Sequence, residues 1–172
     1  MYRTFPYLLL FAAVELFQIF LFDNLSISVL LNPLVYVAFV ILLPLDTPPV
    51  VLLGAGLLSG GVTDAAMGAA GLNTAATLPV AVLRPAILGL LHGRDDAREA
   101  GVPSPVRLGR RVFVNYLVVM VLLHHTLFFS LEALSWAHAG HTLARIILSG
   151  AVSLGFIWLI ARIFTAKLPV RV

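Results

Sequence analysis

Apolar runs follow one another along almost the whole chain, separated by short polar turns. The runs return about every 25 to 30 residues, the length that one bilayer crossing and a turn require. The pattern predicts six spans, at residues 5–22, 27–45, 49–64, 72–91, 108–131 and 142–165. The predicted fold is therefore all-α: a polytopic membrane bundle of six transmembrane helices.

Proline and glycine mark the turns between these spans. Thr47-Pro48-Pro49 predicts a tight turn, because proline forces extended geometry on the residue before it. Residues 67–71 form a short glycine-rich reversal, and a polar linker occupies residues 92–105. The stretch of soluble character, 92–111, is too short to bury a core of its own. We therefore expect a single integral membrane domain over residues 1–172.

Composition agrees with a membrane protein and narrows its chemistry. Hydrophobic residues make up 60% of the chain and charged residues 11%, whereas soluble domains carry about 25% charged residues. Cysteine is absent, so no disulfide, thiol nucleophile or cysteine metal site is expected. The net charge of +3 does not indicate nucleic-acid binding, because the basic residues flank apolar spans, where they set topology.

The distribution of lysine and arginine predicts the orientation. With the amino terminus inside, nearly all basic residues fall on the cytoplasmic side: Arg3, Arg94, Arg98, Arg107, Arg110, Arg111, Arg162, Lys167 and Arg171. The outer turns hold acids and histidines, with only Arg145 near them: Asp23, Asp64, Glu132, His138 and His141. This bias requires an even number of spans, with both termini cytoplasmic.

Small residues recur at helical spacing in the third span. Gly56 and Gly60 form a GxxxG pair, which lets two helix backbones approach closely in lipid. The sixth span repeats the device with Ser149/Ser153 and with Ala151/Gly155. Packing within the bundle is the favoured interpretation, and docking of a partner's helix is the alternative.

Two pairs of opposite charges stand out, because charges in lipid are costly. Asp64 and Arg145 lie on the outer side, and we predict that they interact, with separate hydration as the alternative. Glu15 and Arg84 fall at similar depth, about 12 Å and about 10 Å from the inner side at 1.5 Å per residue. We predict a Glu15–Arg84 contact that joins the first helix to the fourth. The competing interpretation is that Arg84 snorkels to the headgroups while Glu15 is protonated and hydrogen-bonded near Gln18.

Enzymatic and metal sites receive little support. Ser59 with His124 and His125 suggests an intramembrane serine protease. In rhomboid-type enzymes, however, glycine stands two residues before the serine, and here that residue is Leu57. His138 and His141 have a spacing that suits a metal, but no third ligand is evident. Interhelical hydrogen bonding is the commoner role for such residues in membranes.

The turn Thr47-Pro48-Pro49 leads to a glycine-rich helix that ends in an aspartate, and a small-residue reversal opens the next helix: Gly56, Gly60, Asp64, Gly68 and Gly71. With these features, the stretch 54–84 resembles the rod shape-determining protein MreD family. Asn32-Pro33 and Arg84-Pro85 resemble the version found in Bacteroidetes-type members.

This resemblance implies a non-enzymatic subunit of the cell-elongation machinery in the bacterial inner membrane, without a cofactor or metal. It implies binding to an MreC-like periplasmic protein, and through it to a class B penicillin-binding protein, RodA and MreB. The implied fold resembles the substrate-binding components of energy-coupling-factor transporters. Their docking motif, AxxxA in the first helix, has no counterpart in residues 11–17. A small-molecule-binding component of a transporter is the alternative function. Gly56, Gly60, Asp64, Arg145, Glu15 and Arg84 are the candidate partner-binding or structural residues.

Overall fold

The computed structural model describes residues 5–22, 30–93, 101–135 and 138–167, and their regular structure is helical. The helices are α1 Phe5–Leu16, continued by a π-helical segment Phe17–Phe22, then α2 Ala38–Ile41, α3 Pro49–Met67, α4 Leu72–His92, α5 Pro105–Leu108, α6 Arg110–Ala133 and α7 Ala139–Lys167. Asp23, Arg3, Arg94, Arg98 and Arg171 lie outside the described residues, so their predicted sides of the membrane stay predictions.

Four helices of the described chain, α3, α4, α6 and α7, are long and apolar enough to cross a bilayer. They correspond to the last four predicted spans, whose existence is confirmed, and their ends differ from the predicted ones by a few residues at most. The first predicted span is a shorter apolar helix, Phe5–Leu21, formed by α1 and its π-helical continuation.

The second predicted span is not a spanning helix. Of its described residues, 30–45, only the four residues of α2 are helical. We call this stretch segment 30–45. Its centre is fully enclosed, with the side chains of Val35, Ile41 and Leu42 all at 0% exposure. Irregular backbone at membrane depth is tolerated where surrounding protein satisfies its polar groups, and several helices do so here.

Segment 30–45 runs antiparallel to α1. Gln18, beyond the end of α1, hydrogen-bonds to Val35. Farther along, the rings of Phe11 and Phe39 meet edge to face with centroids 5.0 Å apart. The chain therefore returns to the level of the start of α1 before the turn at residues 46–48 leads into α3.

The α3–α4 hairpin forms as the glycine pattern predicts. Gly68 adopts a left-handed conformation (φ +65°) at the end of α3, and Gly71 (φ +84°) precedes α4. Positive φ is costly for residues with a Cβ, so glycine at these positions allows the tight reversal at 67–71. α4 packs between α3 and α6, and α6 packs against α7, which places segment 30–45 among all of them.

Candidate functional site

Polar side chains from the helices converge on the backbone of segment 30–45. Gln18 binds it at three points: its Oε1 accepts from the N–H groups of Val35 (2.7 Å) and Tyr36 (3.3 Å), and its Nε2 donates to the carbonyl of Pro33 (3.1 Å). These bonds replace the helical hydrogen bonds that this stretch lacks. An unsatisfied backbone group in lipid costs several kcal/mol, so Gln18 makes the irregular path possible.

Two serines of α7 hold the start of the segment. Ser149 Oγ accepts from Asn32 N–H at 2.9 Å and donates to the carbonyl of Leu30 at 3.2 Å. Ser153 Oγ accepts from Leu34 N–H at 2.9 Å. Residues four apart lie on the same face of a helix, so Ser149 and Ser153 both direct their hydroxyls toward the start of segment 30–45.

His125 extends this contact into α6. Its Nδ1 lies 2.9 Å from the carbonyl of Val121, which can only accept, so Nδ1 carries the hydrogen. Nε2 is therefore the acceptor, and the Ser153 hydroxyl donates to it at 3.0 Å. The side chains of His125 and Ser153 are both fully buried, so this serine–histidine pair links α6, α7 and segment 30–45 within the core.

Tyr36 directs its phenol to α4 and α6. Its hydroxyl lies 2.9 Å from His124 Nε2 and 3.1 Å from Thr77 Oγ1, and Thr77 donates to the carbonyl of Asn73 at 2.7 Å. One arrangement uses each hydrogen once: His124 donates to Tyr36, Tyr36 to Thr77, and Thr77 to Asn73. Such a chain is cooperative and fixes the positions of its members.

Arg84 binds the other end of segment 30–45 and is fully buried. Its Nε donates to Tyr116 Oη at 2.9 Å, and that hydroxyl donates to the carbonyl of Ile41 at 2.8 Å. The guanidinium also donates to the carbonyls of Leu43 and Pro44. The carbonyls of Leu43 and Pro44 lie in the irregular chain after α2, where no helix supplies a donor, so Arg84 satisfies them directly and supports the Ile41 carbonyl through Tyr116.

The predicted Glu15–Arg84 contact is therefore wrong, and so is the predicted snorkelling. The Arg84 donors reach Tyr116 and main-chain carbonyls, and none of the side chain is exposed. The prediction rested on equal depth alone. Equal depth does not decide the pairing, because the carbonyls of Leu43 and Pro44 lie within reach of the guanidinium and accept its hydrogens.

Glu15 instead contacts α3. The Ser59 hydroxyl donates to its Oε1 at 2.6 Å, and Thr63 Oγ1 lies 3.0 Å from its Oε2. The Glu15 side chain is only 4% exposed. Because Ser59 and Thr63 are four residues apart, both hydroxyls face α1 together.

Asp64 caps α4. Its Oδ1 accepts from the backbone N–H (2.9 Å) and side-chain amide (3.0 Å) of Asn73, and its Oδ2 accepts from the backbone N–H (2.9 Å) and hydroxyl (2.7 Å) of Thr74. A carboxylate is favoured at a helix N-terminus by the unpaired N–H groups and the helix dipole. The predicted direct Asp64–Arg145 contact is wrong, because Asn73 and Thr74 at the start of α4 already donate to the acid.

Arg145 is bound at the outer end of α6. It forms an ion pair with Glu132 (2.5 Å) and lies over the ring of Phe129, 4.5 Å from its centroid. Both contacts join α6 to α7. An acid on the neighbouring helix is thus the partner, rather than the acid on α3.

Gly56 and Gly60 lie where α3 meets α4. A Cβ on Gly60 would lie 2.5 Å from the Cα and 2.8 Å from the backbone nitrogen of Thr74. A Cβ on Gly56 would lie 3.2 Å from the Cβ of Ala81. The two glycines therefore take part in close packing within the bundle, as the favoured interpretation holds. By contrast, Gly155 on α7 has open space around it.

Ser59 does not pair with His124 or His125, so the serine–histidine arrangement of a protease that the sequence suggested does not form. Ser59 donates to Glu15, and the serine that meets a histidine is Ser153, which also accepts from Leu34. Within the described residues, no group of three or more histidines and acids is placed to hold a metal ion. His138 and His141 lie exposed at the start of α7.

Sequence reasoning missed the roles of Gln18, Tyr36 and Tyr116 at segment 30–45. It expected hydrogen bonds from the serines, but not that Ser149 and Ser153 bind the backbone of this segment. One signal was present. Each is a polar side chain inside an apolar run, and in lipid such groups bind a partner. The partner of Gln18 and of Tyr116, however, is backbone that the sequence predicted to be helical.

Fold and contacts together define an all-helical, membrane-embedded protein whose polar groups hold an irregular central segment. No family model, curated protein or solved structure matches the chain.

Proposed function

We propose that the chain is a non-enzymatic scaffold subunit of the bacterial cell-elongation machinery, in the inner membrane. It binds an MreC-like periplasmic protein, and through it reaches a class B penicillin-binding protein, RodA and MreB. The resemblance of the stretch 54–84 to the MreD family supports this proposal. The positions that carry the resemblance also have physical roles here: Gly60 and Asp64 join α3 to α4, and Gly68 and Gly71 make the hairpin.

One observation carries the non-enzymatic part of the proposal. The side chains that do chemistry in other membrane proteins are here engaged in holding the chain itself. Ser153 accepts from the backbone N–H of Leu34 and is held by His125, and Arg84 donates to the carbonyl of Leu43. A rigid bundle of this kind suits a subunit that presents a fixed surface to a partner.

The proposal includes six crossings, both termini in the cytoplasm, and a fold like the substrate-binding components of energy-coupling-factor transporters. Segment 30–45 would be the second crossing, made by an irregular chain. Its antiparallel course beside α1 supports this count, because α3 then starts on the same side as α1.

The test is co-purification from membranes that also contain the MreC-like protein of the same organism. We expect the two proteins to elute as one complex at a fixed ratio, without added nucleotide or substrate. A single-span protein of similar size from the same membrane is the control. Elution apart from the MreC-like protein, under conditions where the bundle is folded, would contradict the scaffold function.

One observation favours the alternative, a small-molecule-binding transporter component. A cavity of about 410 Å³ lies between α1, the end of segment 30–45 and α3. Its walls are largely apolar and include Tyr7, Phe11, Phe39 and Val51. Native mass spectrometry of the purified protein distinguishes the two functions: a retained small molecule that is lost in Val51→Trp supports the transporter component.

A further inference from the structure

The cavity of about 410 Å³ between α1 and α3 is a groove that opens toward the bilayer. Its floor includes Phe39 from segment 30–45, whose side chain is buried. Its rims include Leu8 on α1 and Val51 and Leu58 on α3, and these three side chains are more than half exposed. Because α3 is long and apolar enough to span the membrane, its exposed apolar side chains face lipid, and lipid has access to the groove from its open side.

The two ends of the groove differ. One end is the turn 46–48, which precedes α3 and therefore lies at a membrane surface. The other end is closed where α1 and α3 meet directly, because the Ser59 hydroxyl donates to Glu15 at 2.6 Å. The lining residues Val51 and Leu58 are about two helical turns apart, so the groove is about 10 Å deep. It therefore covers only about a third of a hydrocarbon core about 30 Å thick.

An acyl chain from one leaflet suits this depth. An empty groove would forfeit dispersion contacts along its walls, and chains of the surrounding lipid can supply them. A partner's spanning helix suits it less, because such a helix is about 30 Å long and the groove ends at Leu58. Lipid tails are as apolar as the groove walls, so the walls alone do not favour one lipid over another. Any selection has to come from the head group at the polar end.

Asp46 and Thr47 make the open end of the groove polar and acidic. The Asp46 side chain is exposed, and within the described part of the chain it takes part in no ion pair. The Thr47 hydroxyl donates to the Pro44 carbonyl at 2.7 Å, so its oxygen can still accept a hydrogen bond. The described residues that line the groove include no lysine or arginine. This end therefore attracts a cation that can donate hydrogen bonds, and an ammonium group is such a cation.

We propose that the groove is a binding site for a phospholipid with an ammonium head group, of the phosphatidylethanolamine class. One acyl chain lies between α1 and α3 against Phe39, and the ammonium group donates to the Asp46 carboxylate and the Thr47 hydroxyl. The head group thus stays at the membrane surface, and the chain fills the space up to the contact between α1 and α3 at Glu15. This inference goes beyond the proposed scaffold function and does not depend on it.

Photo-crosslinking tests the proposal. The full chain is placed in nanodiscs of phosphatidylethanolamine and phosphatidylglycerol in equal amounts, with a trace of either lipid carrying a diazirine in its acyl chain. Adducts are mapped by peptide mass spectrometry after irradiation. We expect the ethanolamine probe to label Phe11 and Val51 about threefold more than the glycerol probe, the factor that one exposed ion pair can supply. The exposed face of α4 around Val82 is the internal control, and both probes should label it equally.

Two variants separate the role of the head group from that of the chain. Asp46→Asn should make the two probes equal at the groove and leave the melting temperature unchanged, because the residue is exposed. Val51→Trp should fill the groove and remove the adducts on Phe11 with both probes. Val82→Trp, a matched change at an exposed valine outside the groove, should keep them.

Equal labelling of the groove by the two probes in the unaltered chain, or stronger labelling by the glycerol probe, would overturn the proposal. A preference for the ethanolamine probe that persists in Asp46→Asn, or Phe11 adducts that persist in Val51→Trp, would do the same. A water-soluble compound that the purified chain retains and that Val51→Trp loses would also overturn it, in favour of the transporter component.

Discussion

At the scale of single residues, the polar side chains of this bundle bind backbone more than each other. Arg84 shows why this arrangement is stable. A buried guanidinium without hydrogen bonds is very costly, but the carbonyl oxygens of Leu43 and Pro44 and the Tyr116 hydroxyl accept its hydrogens. In return, Arg84 satisfies carbonyls that lipid cannot satisfy.

Arg84→Gln should destabilise the protein by about 3 kcal/mol, because it leaves the carbonyls of Leu43 and Pro44 without their charged donor. Thermal unfolding followed by fluorescence-detected gel filtration measures the loss. Arg162→Gln is the matched control, an exposed cation on α7 that should change stability by less than about 0.5 kcal/mol.

The same variant tests the relation of Glu15 to Arg84. Since the two residues bind different partners, the loss in Glu15→Gln/Arg84→Gln should equal the sum of the two single losses. Partial recovery in the double variant would show that the two side chains do interact.

Ser153→Ala should cost about 2 kcal/mol, because it removes the acceptor for the Leu34 N–H and the donor to His125. Ser130→Ala, on a partly exposed position of α6, is the comparison and should be close to neutral. Chemical denaturation in mixed micelles measures both. Equal stability of the two variants would mean that Ser153 does not support segment 30–45.

At the scale of elements, α3 and α4 act as one unit. Glycine removes the bulk between them, Asp64 caps α4 from α3, and a two-glycine reversal joins their ends. Lipid tails are as apolar as the helix side chains, so the hydrophobic effect does not drive helices together in a membrane. Close backbone contact and polar bonds of this kind hold them together instead.

Gly60→Ala should prevent this close approach, because its Cβ would lie 2.5 Å from the backbone of Thr74, which cannot move aside without shifting α4. We expect a loss of about 2 kcal/mol or more, measured as a lower melting temperature and folded yield. Gly155→Ala, a glycine of α7 with open space around it, should be neutral or slightly stabilising. Similar losses in both variants would argue against tight α3–α4 packing.

At the scale of the whole molecule, the central question is how the chain crosses the membrane. Four long helices alone give two hairpins, α3–α4 and α6–α7. Residues 5–22 and 30–45 add α1 and a segment antiparallel to it, which the proposed topology uses as the second crossing. An irregular crossing of this kind is stable only as the centre of an assembled bundle, because its hydrogen-bond partners come from other helices.

Reporter fusions test the six-crossing topology. Fusions at Ala70 and His138 should report the periplasm, and fusions at Ala97 and Val172 the cytoplasm, because the basic residues collect near the latter two. Each site is fused in turn to a reporter that is active in the periplasm and to one that is active in the cytoplasm, so that one of the two gives a signal at every site. A cytoplasmic signal at Ala70 would invert the α3–α4 hairpin and contradict the proposed orientation.

The sequence by itself determined the four long apolar helices α3, α4, α6 and α7, and where the α3–α4 hairpin turns. Those features depend on local properties: apolar length, proline at the start of α3, and glycine at Gly68 and Gly71. Only the tertiary structure decided the path of segment 30–45, because its apolar residues suit a helix equally well. Side chains distant in sequence, such as Gln18 and Ser153, satisfy its backbone in place of helical bonds. The partners of the charged residues also depend on the tertiary structure. Asp64 and Arg84 bind backbone groups that come near them only in the folded chain, and the pattern of charges along the sequence does not show these groups.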